Sequence, residues 1–185
     1  MKTQQPRFVW CDLEMTGLCP QRCAIIEIGL ILTDKELNPL AELERAIWQP
    51  ESVLEAMEPF VRQMHTRNGL LERVRASAHS LRAVEKEVMA LLAEHFAPGE
   101  GILAGNSIHT DRSFIAQHMP GVDRLLHYRM VDVSSLKELV RAWYPQAAGR
   151  SKADTQHTAL ADVQASIGEL AFYRHSFFKT PEELR

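Results

Sequence analysis

The stretch Phe8-Val9-Trp10-Cys11-Asp12-Leu13-Glu14 decides the reading of this chain. It is apolar and β-prone up to its end, then presents two acids at i and i+2. Residues two apart on a strand point to one face. Two carboxylates on one face of a buried strand repel each other, and burial adds a desolvation cost. A cation between them relieves both. Hard divalent ions take oxygen ligands, so Mg²⁺ or Mn²⁺ is the natural candidate. Asp-x-Glu alone is a common pair, most often solvated at a strand end, so its meaning depends on its company further along.

Working outward, the spacing predicts strands over residues 7–12, 24–33 and 40–48, the last entered through a turn at Asn38-Pro39. Their closeness in sequence suggests an antiparallel meander. Short helical pieces fill 52–74. A stronger helix follows over 80–95, with Ser80 as N-cap and Leu81, Val84, Val88, Leu91, Leu92 and Phe96 at the 3.6-residue period. Residues 101–104 read as a short buried strand, 111–118 as a helix stopping before Pro120-Gly121, 129–132 as a fifth strand and 134–144 as a helix. A polar loop spans 149–156, and a long helix runs over 158–177. Three strands followed by alternating helices and strands point to an α/β architecture, one mixed five-stranded sheet flanked by helices. The apolar first strand needs both faces covered and belongs at the centre of that sheet. No repeat or long linker divides the chain, so residues 1–185 read as a single domain with a core over about 7–179.

Composition narrows the function. The chain of 185 residues is 45% apolar and 24% charged, ordinary for a globular protein. No apolar run is long enough to span a membrane. The opening Met1-Lys2-Thr3-Gln4-Gln5-Pro6-Arg7 has no signal-peptide core, so the expected location is cytoplasmic. The three cysteines, Cys11, Cys19 and Cys23, are odd in number and lack a nearby histidine, which fits neither a disulfide framework nor a zinc site. A net charge of −3 without a basic run argues that any nucleic-acid substrate is short or held by its end.

Further acids join the pair in the predicted fold. Asp12 and Glu14 emerge at the C-terminal end of a central strand, where ligand sites collect in open α/β sheets. Asp111 opens a helix just after another strand. It is locally favourable there as a first-turn carboxylate, a role compatible with ligation. Asp162 lies in the final helix and His157 five residues earlier. Five helical steps leave two residues about 140° apart. Both therefore reach one site only if His157 sits at or before the helix start and Asp162 in its first two turns.

The order Asp-x-Glu, a later Asp, then His-x4-Asp resembles the histidine-subtype DEDD exonucleases, which have a ribonuclease-H-like fold. Within that group Asp12-Leu13-Glu14-Met15-Thr16-Gly17-Leu18, Ile25-Ile26-Glu27-Ile28, Gly105-Asn106-Ser107-Ile108 with Asp111-Arg112, His127-Tyr128-Arg129 and Asp132-Val133-Ser134 with Leu136-Lys137-Glu138-Leu139 are similar to the oligoribonuclease family. The resemblance runs in order from about Phe8 to Lys179. It implies a homodimeric 3′→5′ exoribonuclease acting on very short RNA, down to dinucleotides. It implies two divalent cations, Mg²⁺ or Mn²⁺, on Asp12, Glu14, Asp111 and Asp162, with His157 as general base. Leu18 would wedge against the bases, and His65 would contact the substrate. Ser107, Arg129 and Ser134 would hold the 5′ phosphate, and Tyr128 would reach into the partner's site. Phe60 stands where the family often has tryptophan, Cys19 replaces a usual Asp, and Ala161 replaces an Asp just before the ligand carboxylate. Two other readings stay open from the residues: a general DEDD-type exonuclease on longer RNA or DNA, and a catalytically silent nucleotide-binding protein. The chain has no Gly-rich phosphate loop and no Gly-x-Ser-x-Gly elbow.

Overall fold

The computed structural model describes residues 6–146, 158–180 and 182–185. The quoted stretch forms β1 (Pro6–Met15), followed by β2 (Ile25–Asp34) and β3 (Pro39–Ala46) as an antiparallel meander. Three short helices, α1 (Glu51–Glu55), α2 (Pro59–Arg67) and α3 (Leu70–Ala76), lead to α4 (Leu81–His95), whose Ser80 cap accepts from the Ala83 N–H. Then come β4 (Gly101–Gly105), α5 (Ile108–His118), α6 (Pro120–Leu125), β5 (Leu126–Asp132), α7 (Val133–Trp143) and α8 (Ala159–Phe177). The strand order is β3-β2-β1-β4-β5, with β4 and β5 parallel to β1. This is the mixed, helix-flanked five-stranded sheet that the sequence predicts, with β1 at its centre.

Alternation along β1 divides the core. Val9, Cys11 and Leu13 pack against Val84, Val88 and Leu92 of α4 and Phe114 and Ile115 of α5. Trp10 faces the other way, into a cluster with Ile31, Ala104, Val133 and Val140 of α7, and Val163 and Tyr173 of α8. Burying each such large apolar side chain stabilises the fold by roughly 1.5–3 kcal/mol. The parity of β1 puts Asp12 and Glu14 on the Trp10 face, the one that α8 covers.

Several boundaries move from their expected places, each for a physical reason. β1 continues to Met15 because β2 pairs with it as far as Met15↔Ile25, so both acids lie inside the strand and not at its exit. β4 pairs with β1 only over Phe8, Val9 and Trp10. Beyond Trp10 the Leu13 N–H donates to Asp111 Oδ1 at 2.9 Å. Helix α5 starts at Ile108, three residues before Asp111, because Ser107 turns the chain in the left-handed region with φ of 50°. Pro120-Gly121 both ends one helix and begins another: proline at the first helical position loses no hydrogen bond, and α6 forms there. β5 starts at Leu126, where it already pairs with Gly101 of β4.

The Trp10 indole donates to Thr33 Oγ1 at 3.0 Å inside the α8-side core. Thr33→Val keeps the shape and removes the acceptor, leaving a buried donor unsatisfied. Urea unfolding is expected to show a loss of about 1–3 kcal/mol; an unchanged midpoint would contradict this account of the core.

Candidate active site

Three carboxylates converge where the β1 acids meet α8. Thr158 caps that helix, its Oγ1 accepting from the Ala161 N–H at 3.3 Å, and Asp162 falls in the first turn. One oxygen each of Asp12, Glu14 and Asp162 lies within 4.8 Å of the others. Asp111 is buried at their side, its orientation fixed by the bond from Leu13. It stands outside that closest trio, yet near enough for its charge to act on Glu14. His157 lies outside the described residues.

Among the described residues the site is crowded with carboxylates, and their charges act on one another. Burial, then the charges of Glu27, Asp162 and Asp111, push Glu14 from 4.5 up to about 8, with Arg73 partly opposing. Burial also drives Asp111 from 3.8 up to about 7 against the stabilising N–H of Leu13. Burial raises the Cys11 thiol well above its usual range, Asp111 and Asp12 adding to the effect, so Cys11 is a packed apolar group and not a nucleophile. Oxygen-only donors that resist ionising together are the donor set a hard divalent cation satisfies, so the residues present fit such an ion.

The predicted substrate-contacting residues fall in two places. Leu18 projects from the loop after β1 at 80% exposure, and Phe60 at the start of α2 is 75% exposed. His65 is fully buried behind Glu14: its Nε2 lies 3.0 Å from the Met15 carbonyl and its Nδ1 3.9 Å from Glu14 Oε2. Burial lowers its pKa, which favours the neutral ring. Ser107 and Ser134 meet at 3.3 Å between their hydroxyl oxygens, and the Ser107 N–H donates to Ser134 Oγ at 3.0 Å. Arg129 and Tyr128 are exposed neighbours on β5, the guanidinium carbon 5.0 Å from the ring centre.

Sequence reasoning missed the residues that hold these in place. Asp132 Oδ1 accepts from the backbone N–H groups of both Ser107 and Ser134, at 3.0 and 2.9 Å, and so joins the turn after β4 to the start of α7. Asn106 Oδ1 accepts from Ser134 Oγ at 3.0 Å. An Asp just before a helical pattern is a capping signature, and the run Asp132-Val133-Ser134 carries it. Glu27 also escaped notice as a structural anchor: it is an acid within a wholly apolar run, buried directly opposite Glu14.

Comparison with known proteins agrees with this geometry. An exonuclease family, RNase_T, matches residues 9–170. The oligoribonuclease of Corynebacterium glutamicum is 48% identical over 175 residues, covering 93% of this chain and 80% of that protein. The oligoribonuclease of Shewanella loihica is 46% identical over 180 residues, covering 97% and 99%. Among solved structures, E. coli exonuclease I in complex with a 5cy-dT13 oligonucleotide superposes with a TM-score of 0.72 at 16% identity, over 94% of this chain and 42% of that one. Exonuclease I from Methylocaldum szegediense gives 0.69 at 20% identity, over 92% and 40%. This chain thus spans less than half of either exonuclease I, and the likeness establishes the ribonuclease-H-like fold.

The raised acids set a pH dependence. The unfolded chain releases the Glu14 and Asp111 protons near their ordinary values of 4.5 and 3.8, whereas the fold holds them to about 8 and about 7. Over that interval the folded protein binds more protons, so the stability these groups allow is present at low pH and lost as pH rises. The metal-free protein is expected to lose Tm between about pH 5 and about pH 8, with a shallower fall in Glu14→Gln and in the presence of Mn²⁺. A wild-type slope no steeper than that of Glu14→Gln would contradict it.

Proposed function

This chain belongs to the oligoribonuclease family of exonucleases, and we propose that it is a 3′→5′ exoribonuclease that hydrolyses short oligoribonucleotides, down to dinucleotides, to 5′-mononucleotides. The observation that carries the reading is the convergence of Asp12, Glu14 and Asp162 within 4.8 Å, beside a buried Asp111, in a chain nearly half identical to oligoribonucleases over almost its whole length. Asp12, Glu14, Asp111 and Asp162 would hold two divalent cations, Mg²⁺ or Mn²⁺. When bound, these supply charge stabilisation at the attacking and leaving oxygens of a phosphodiester and ease deprotonation of water.

His157 takes the proton of the attacking water. Its ordinary pKa lies near neutrality, where general-base catalysis is most efficient. Ser107, Ser134 and Arg129 grip the 5′ phosphate, the guanidinium offering a planar fork and the hydroxyls single donors, Ser134 turning its proton from Asn106 to the phosphate. Leu18 and Phe60 bear on the bases, and His65 acts from behind Glu14, where it is buried. Tyr128, 72% exposed on β5, serves the partner's site in a homodimer. A grip on the 5′ phosphate at fixed distance from the acids is what restricts the substrate to short chains. No helix among the described residues is long and apolar enough to cross a membrane, and the setting proposed is the cytoplasm.

The test is a length series of 5′-phosphorylated RNAs under single-turnover conditions, with and without Mn²⁺. Dinucleotide cleavage is expected to exceed that of longer oligomers by at least about tenfold, and chelation should abolish release of mononucleotides. Equal rates at all lengths would replace this reading with a general exonuclease. His157→Ala should slow turnover about a hundredfold to ten-thousandfold while sparing Mn²⁺ binding, and Asp12→Asn should lose both.

A further inference from the structure

We propose that Glu27 is a positioning residue: it bolts the first turn of α8 to β2 and thereby sets Asp162 against Asp12 and Glu14. The inference rests on the metal site proposed above and concerns how that site is held. Glu27 is only 1% exposed and sits on β2 directly opposite Glu14, with Gly29 opposite Asp12. A buried fifth carboxylate beside Asp12, Glu14, Asp111 and Asp162 is a costly choice unless its own bonds repay the loss of water. Each of its oxygens has such a bond, to a different element. Oε1 pairs with Arg73 Nη2 of α3 at 2.5 Å. Oε2 accepts from the Ala159 N–H, the first residue of α8, at 3.1 Å.

That N–H is one of the four that a helix leaves without an internal partner, and Thr158 satisfies another, that of Ala161. The helix start therefore hangs on a strand residue and not only on its own cap. Gly29 reports the same seating independently. A Cβ there would come within 2.6 Å of both Ala159 C and Leu160 N. The backbone of α8 thus rests directly on the sheet beside Asp12, and Asp162 follows three residues after the anchored amide. A reactive geometry tolerates little play, since a misplacement near 1 Å can cost about a hundredfold in rate.

Mn²⁺ binding, followed by calorimetry and by loss of the free-ion EPR signal, tests this without reference to turnover. Glu27→Ala is expected to weaken Mn²⁺ binding by about ten- to a hundredfold, the usual effect of removing a support behind the ligands. Glu27→Gln keeps a carbonyl oxygen for the Ala159 N–H and should recover most of that loss. Val88→Ala, which loosens the core on the opposite face, should leave Mn²⁺ affinity within about twofold even where its Tm falls as far. Gly29→Ala lifts the same turn by another route and should reproduce the Glu27→Ala defect, so the inference stays testable if Glu27→Ala does not fold. Unchanged affinity in the Glu27→Ala or Gly29→Ala protein overturns the positioning role, and equal losses in Glu27→Ala and Glu27→Gln assign the effect to charge instead. Wild-type protein that binds no Mn²⁺ overturns the site itself, a separate failure.

Discussion

The structure depends on gathering carboxylates at the centre of its sheet. Asp12 and Glu14 lie on the central strand, and burial together with Glu27, Asp162 and Asp111 keeps Glu14 from ionising near its ordinary value. Such crowding survives only where the backbone is held by something other than the acids. Here β2 continues the ladder along β1 to Met15 while β4 has already stopped pairing at Trp10. The resulting notch exposes one edge of β1, and Asp111 fills it by accepting the Leu13 N–H. An orphan backbone donor and a site carboxylate are satisfied in one bond, so the unequal lengths of β1 and β4 make the site.

Strand parity then determines which helix supplies which acid. Odd residues of β1 face α4 and α5, and even residues face α7 and α8. Asp162 can meet Asp12 and Glu14 only because all three share the α8 side, whereas Asp111 reaches the strand edge from α5. The same parity puts Glu27 and Gly29 of β2 beneath the start of α8. One face thus carries the ligands and the fixtures that seat them.

Much of this was legible in the sequence. The apolar run with acids two apart identified the central strand, and the 3.6-residue period found α4 with its Ser80 cap. The spacing argument placed Asp162 in the first two turns of its helix, and it lies in the first. What stayed hidden depended on partners distant in sequence. The extension of β1 to Met15 is fixed by β2, which no local pattern in β1 reveals. Helix α6 was masked because Pro120-Gly121 reads as a stop and not as a start. Glu27 carries no periodic signal at all: its partners Arg73 and Ala159 lie 46 and 132 residues away.

The Ser107 turn is tied to the same helix that carries Asp162. The fold superposes on chains that are 16–20% identical and more than twice as long, so the sheet tolerates wholesale change around it. Specificity has to reside in what rings the sheet. In this chain one carboxylate, Asp132, holds both Ser107 and Ser134 by their backbone N–H groups, while Asn106 orients the Ser134 hydroxyl. Asn106 is itself held from α8, its Nδ2 donating to Ser166 Oγ at 2.9 Å and to Glu169 at 3.1 Å. The hydroxyl pair and the acid cluster are therefore fastened to the same helix, one turn apart. In the proposed reading that common mounting keeps the distance from phosphate grip to reaction centre constant, which a ruler for short RNA requires and a surface arginine alone does not provide.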